Sequence, residues 1–152
     1  DIGKMAIDDA TLNKPGRLTP EEFEIMKTHT TIGADMLLEL GSHHAGNALM
    51  EYAYQIARWH HERWDGKGYP DGLKGDEIPI AAQVVSVADV YDALTSVRVY
   101  KDAIPHKEAI QMILDGKCGT FNPLLLDCLL EVQDQIAETL ARPADVVAFP
   151  TI

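Results

Sequence analysis

Residues 57–75 read ARWHHERWDGKGYPDGLKG. His60 and His61 close a segment with helical periodicity, and the run after Trp64 is too rich in Gly, Asp and Pro for regular structure. Working back from His60, Leu49, Tyr52, Ala53, Ile56 and His60 fall at i, i+3, i+4, i+7 and i+11. That spacing is one face of a helix, predicted here over about 46–62. An irregular loop is predicted over 64–77. A histidine on an apolar face is either satisfied by core hydrogen bonds or serves as a ligand. Neighbouring helical residues diverge by about 100°. Adjacent histidines therefore fit poorly on one metal ion and suit two ions side by side.

The rest of the chain also reads as helical. Residues 1–18 suggest a helix end and a loop, with a turn at Pro15-Gly16. Thr19-Pro20-Glu21-Glu22 is a helix start: Thr19 caps, Pro20 takes the first helical position, and Glu22 completes a capping box. This helix is predicted to run to about Leu40 and stop at Gly41. Its stripe of Ile25, His29, Ile32 and Met36 is interrupted by His29. His43 and His44 fall in a loop and are read as nonfunctional. A third helix is predicted over 79–97, with Asp89 beside Val85 and Ala88. Pro105 opens a fourth to about Asp115, and Asn122-Pro123 a fifth to about Ala141. No strand alternation and no internal repeat is visible. The fold class is all-α, a helical bundle over 1–141 with a tail over 142–152.

A chain of 152 residues suffices for one domain with a real core. The net charge of −11 argues against a nucleic-acid polymer as partner, because phosphates would be repelled. A phosphate-bearing ligand would need metal ions or a few local cations. No apolar run reaches the about 18 residues of a bilayer span, and no signal-peptide pattern is present. Cys118 and Cys128 form no CxxC and read as reduced thiols. A cytoplasmic location is expected. The first residue is Asp, so the sequence is read as part of something longer, which can be tethered to a membrane sensor elsewhere.

His29, His60 and Asp89 are polar groups on inward faces of three helices. Burying such groups is expensive unless they are paired or ligate a metal, and helical bundles build metal sites in this way. With His61 added, a dinuclear site is expected. Mixed imidazole and carboxylate donors suit Fe, Mn, Zn or Ni better than Mg.

These residues, in the runs Asp1-Ile2-Gly3-Lys4, Lys14-Pro15-Gly16, His29, His60-His61-Glu62, Asp65-Gly66-Lys67-Gly68-Tyr69-Pro70, Gly72-Leu73-Lys74-Gly75, Ile78-Pro79 and Ala88-Asp89-Val90-Tyr91-Asp92-Ala93-Leu94-Thr95-Ser96, resemble the HD-GYP domain. That is a subgroup of the HD metal-dependent phosphohydrolases. The resemblance runs in order from residue 1 to about 135. It implies an HD-domain bundle of about five to seven helices with an irregular GYP loop. It also implies a bacterial cyclic di-GMP phosphodiesterase that yields pGpG, often cut further to GMP, and acts as output module behind a sensor or receiver domain. By position, Asp1 resembles the aspartate of the HD pair, and His29, His60, His61 and Asp89 the other metal ligands. Lys4 resembles the lysine at the scissile phosphate, and Arg98 and Lys101 the basic residues that grip the phosphates. Tyr69 lies in the signature loop, which implies contact with substrate and with a partner such as a diguanylate cyclase. Two divalent ions, or three, are implied, Fe or Mn first and Zn or Ni next. Val99 stands where the family usually has Pro. The rival readings are a catalytically silent HD-GYP interaction module and an HD hydrolase for another nucleotide.

Overall fold

The structure is a computed structural model that describes residues 1–41, 47–97 and 102–141. His43, His44, Arg98, Lys101 and the tail from Arg142 lie outside the described residues. A 3-10 turn, Ile2–Ala6, is followed by α1 (Asp9–Leu12), α2 (Pro20–Lys27), α3 (His29–Gly41) and α4 (Ala48–Trp59). The GYP loop then leads through a 3-10 turn, Gly75–Glu77, to α5 (Ile80–Thr95), α6 (His106–Leu114) and α7 (Pro123–Ala141). No strand occurs among the described residues, and the protein is an all-α bundle. No helix among them is long and apolar enough to cross a membrane.

Local capping explains the start of α2. Thr19 Oγ1 accepts from the Glu22 amide at 3.2 Å, and the Glu22 carboxylate accepts from the Thr19 amide at 2.6 Å. The same carboxylate takes Lys14 Nζ at 2.6 Å, tying the preceding loop to the helix. Asn47 caps α4 by accepting from the Leu49 amide at 3.0 Å.

Two predicted boundaries are corrected. The single helix expected from Thr19 to Leu40 is broken at Thr28, between α2 and α3. Four side chains there bond to backbone carbonyls: Thr28 to Ile25, His29 to Met26, Thr30 to Lys27 and Thr31 to Thr28. Such side-chain bonds offer the backbone an alternative to regular helix. The helix expected to reach residue 62 ends at Trp59, with His60 as its cap. The outer part of its predicted stripe is also open to solvent, with Leu49 72% and Tyr52 54% exposed.

The main core lies between α5, α6 and α7. Val87, Val90, Tyr91 and Leu94 pack with Ala109, Ile110, Ile113, Phe121 and Leu129. The other half of the bundle is built on α3, which packs along α4 and against the first 3-10 turn. That turn sits very close to α3. The amide of Gly3 faces Gly33, and a Cβ on Gly3 would fall inside the His29 carbonyl oxygen and 2.5 Å from the Gly33 amide. Only glycine allows this approach, and it brings Asp1 to the start of α3.

Candidate metal centre

His29 opens α3 and His60 closes α4, so packing of these two helices brings the rings together. Each ring is oriented by its own helix. His29 Nδ1 lies 2.7 Å from the Met26 carbonyl, and His60 Nδ1 lies 2.8 Å from the Ile56 carbonyl. A carbonyl only accepts, so each Nδ1 carries the proton and each Nε2 presents a lone pair. This is how proteins orient metal-ligating histidines. Both Nε2 atoms are buried and have no hydrogen-bond partner among the described residues. Buried acceptors without partners are costly and rare. A metal ion is the electrophile that such a pair of lone pairs fits.

Burial keeps the rings neutral. It pushes His29 down to about 4 and His61 down to about 2, and it lowers His60 as well. Asp1 Oδ1 lies 3.5 Å from His29 Nε2 and 3.7 Å from His60 Nε2. With neutral rings these are not ion pairs; they are donor atoms facing one point. Asp1 Oδ2 accepts from Lys4 Nζ at 2.7 Å. The ligand atoms of Asp1, His29, His60 and His61 all lie within 4.8 Å of one another. Metal bonds to N and O are about 2.0–2.2 Å, so donors gathered this closely can share a divalent ion.

The expectation that His60 and His61 diverge is corrected. It assumed an unbroken helix, and α4 ends before the pair. Their ring centroids are 4.1 Å apart at an interplanar angle of 40°, and both belong to the same cluster. Asp89 is not one of the four converging groups. It lines the adjoining open cavity of about 370 Å³ with Lys4, His29, His61 and Tyr69. Its charge opposes the loss of basicity at His60.

Tyr69 reaches the site from the loop. Its ring stacks on His61, with centroids 4.8 Å apart at 28°, and meets Phe23 edge-on at 6.1 Å. Burial pushes its hydroxyl up to about 12, so it remains a phenol, able to donate a hydrogen bond, and does not act as a base. Lys27 Nζ lies 5.8 Å from the same ring. Arg63 braces the turn after His61: it donates to the Glu62 carbonyl at 3.0 Å and to Ser86 Oγ at 2.7 Å.

Phe23 and Lys27 were not singled out from the sequence, and Glu62 was read there in the motif with the histidine pair but given no role. The i, i+4 spacing of Phe23 and Lys27 marks a shared helix face but not which loop covers it. No periodicity marks Glu62, whose partners are backbone amides nine and ten residues further on.

The neutral histidines have a measurable consequence in metal-free protein. Their folded pKa values lie below the unfolded value, so the unfolded chain takes up protons first as pH falls. The stability they support is complete above about pH 6.5 and is lost as pH falls toward about 4. Urea midpoints of chelator-treated protein are expected to drop between about pH 7 and about pH 5. His61→Asn, which cannot take up that proton, is expected to flatten the drop. A wild-type midpoint that does not change over this range would contradict the assignment.

The HD domain family model matches residues 1–123. The chain belongs to the HD domain family. HD domains bind divalent metals, and the His/Asp cluster described above can hold one. A protein of Thermotoga maritima named cyclic di-GMP phosphodiesterase is 46% identical over 95% of this chain and 38% of its own length. One of Vibrio cholerae named probable cyclic di-GMP phosphodiesterase is 45% identical over 95% of this chain and 33% of its own. A second Vibrio cholerae protein, named 3'3'-cGAMP-specific phosphodiesterase 2, is 41% identical over 95% of this chain and 27% of its own. The chain thus spans about a third of the length of the curated relatives it matches.

Proposed function

We propose that this HD domain is the hydrolytic unit of a cyclic di-GMP phosphodiesterase, which opens the cyclic dinucleotide to pGpG and can continue to GMP. The observation that carries the reading is the pair of buried, partnerless Nε2 atoms of His29 and His60 facing Asp1 and His61, beside a cavity edged by Lys4 and Tyr69. The names of the relatives support the substrate. In this reading Asp1, His29, His60 and His61 hold the metal, and Asp89 serves the same centre from the cavity wall. Two divalent ions, Fe or Mn, are the proposed occupants: their number is what the HD-GYP resemblance implies, and imidazole and carboxylate donors suit them. Bound there, they supply Lewis acidity to the phosphodiester.

The chain's own residues supply the rest. Lys4 Nζ, held by Asp1, is a cation at the cavity wall and meets the phosphate oxygens. Tyr69 offers a phenolic donor and a ring face to the substrate. Arg98 and Lys101 are proposed to grip the phosphates, as the HD-GYP resemblance implies. Such local cations are needed in a protein of net charge −11. The domain is further proposed to be a cytoplasmic signalling output whose GYP loop can also meet a diguanylate cyclase.

The test is hydrolysis of cyclic di-GMP by full-length protein, purified without oxygen and loaded with Fe or Mn, followed by chromatography of the products. The expected product is pGpG. No cleavage with Fe, Mn, Zn or Ni would overturn the proposal. Lys4→Ala is expected to lower kcat by about 10²–10³, as for other donors lost from developing charge, with metal content unchanged. The relative named for 3'3'-cGAMP favours one second reading, a mixed-base cyclic dinucleotide. A higher kcat/KM for 3'3'-cGAMP than for cyclic di-GMP would select it.

A further inference from the structure

We infer that Glu62 is a positioning residue that ties the GYP loop to the end of α4 and thereby lays Tyr69 on His61. The inference rests on the cyclic dinucleotide reading only for what Tyr69 contacts.

Glu62 is 2% exposed and immediately follows two of the clustered histidines. Its Oε1 accepts from the amides of Asp71 at 2.8 Å and Gly72 at 2.9 Å, while Oε2 is buried without a partner among the described residues. A buried carboxylate is costly, and here its hydrogen bonds go to one loop. Charge-assisted bonds of this kind are stronger than neutral ones. The loop closes on Glu62 from a second side. Gly68 passes over the Glu62 Cα and the Arg63 amide with no room for a Cβ. Next to it, the Tyr69 amide donates to the His61 carbonyl at 3.3 Å. Residues 68–72 therefore wrap around Glu62, backbone at one end and carboxylate at the other.

Asp71 adds a strap to the preceding turn of helix. Its carboxylate takes the Arg58 guanidinium at 2.8 and 3.0 Å and the Trp59 indole N–H at 2.7 Å. Between these anchors lies the one side chain of the loop that stacks on a clustered histidine. A loop with no helix or strand is ordinarily mobile. Held in place beforehand, it spares the ordering cost at binding. The expected signature of losing Glu62 is therefore in substrate affinity and loop protection, with metal and chemistry largely kept.

The experiment uses full-length, metal-loaded protein with cyclic di-GMP as probe. It reads KM and kcat, metal content, and deuterium uptake of peptides spanning residues 64–74. Glu62→Ala is expected to raise KM about tenfold, to change kcat less than about threefold, and to speed exchange at Asp71 and Gly72. Glu62→Gln keeps an acceptor oxygen and is expected to restore both KM and protection. Asp71→Ala, at an exposed position, tests the second strap in a variant that does not empty a buried site, and is expected to raise KM in the same direction.

Unchanged exchange and KM in Glu62→Ala and Asp71→Ala would overturn the inference. So would metal loss with a collapse of kcat at constant KM, which would place Glu62 in the metal centre. Should the wild type hydrolyse no cyclic dinucleotide, the proposed function falls, and the exchange measurement still decides whether Glu62 holds the loop.

Discussion

His61→Ala is expected to empty the metal centre and to lower kcat for cyclic di-GMP by more than about a hundredfold, since even the outer partners of metal ligands are worth about 10–100-fold. Burial pushes the His61 pKa down to about 2, so its ring is neutral at any working pH and makes no ion pair with Asp1. It lies in the four-residue cluster and under the Tyr69 ring. Alanine removes both a donor atom and the surface on which Tyr69 rests.

The loss can be separated from misfolding. Wild-type protein is expected to gain thermal stability as Mn is added, because an ion that binds only the folded state stabilises it by mass action. The variant is expected to show no such gain while melting cooperatively in chelator. Elemental analysis gives the occupancy directly. Full occupancy with wild-type kcat in the variant would remove His61 from the centre.

Gly3→Ala is the second large effect. An added Cβ would overlap the His29 carbonyl oxygen and come within 2.5 Å of the Gly33 amide. Both obstacles are backbone atoms of α3 and cannot rotate away. The 3-10 turn must then lift from the helix and carry Asp1 and Lys4 with it. Overpacking of this kind costs about 1–3 kcal/mol, and the upper end is expected here because no side chain can yield. Metal affinity and kcat are expected to fall together, since Asp1 leaves His29 and His60.

Gly33→Ala is the matched comparison. Its Cβ would meet the Gly3 amide at 3.0 Å and Ile2 Cγ2 at 3.2 Å, a contact that a shift of a few tenths of an ångström relieves. Urea unfolding and metal titration of the two variants are expected to rank Gly3→Ala as clearly worse. Equal stability and equal metal affinity for Gly3→Ala and wild type would contradict the close approach.

Much of the fold was legible in the chain. Thr19-Pro20-Glu21-Glu22 announces α2, Pro105 and Pro123 announce α6 and α7, and the glycines after Trp64 announce an irregular loop. These signals come from caps and from contacts within about four residues, so they survive whatever the rest of the chain does. The resemblance placed Asp1 with the histidines, although nothing in its local spacing does.

The break at Thr28 and the end of α4 at Trp59 were not legible. Both depend on whether side chains or the next turn win the local carbonyls, and tertiary contacts tip that balance. The second error removed the spacing argument for two ions. A helix continuing through His61 would have turned its ring away from His60, whereas the helix end lets both face one cluster. The sequence by itself determined which residues carry donor atoms and which segments are helical, because residue type and short-range periodicity are local properties. The resemblance named Asp1, His29, His60 and His61 as ligands of one centre, and only the tertiary structure decided how they meet. Their approach depends on α3 packing against α4 and on two glycines that let a 3-10 turn touch a helix.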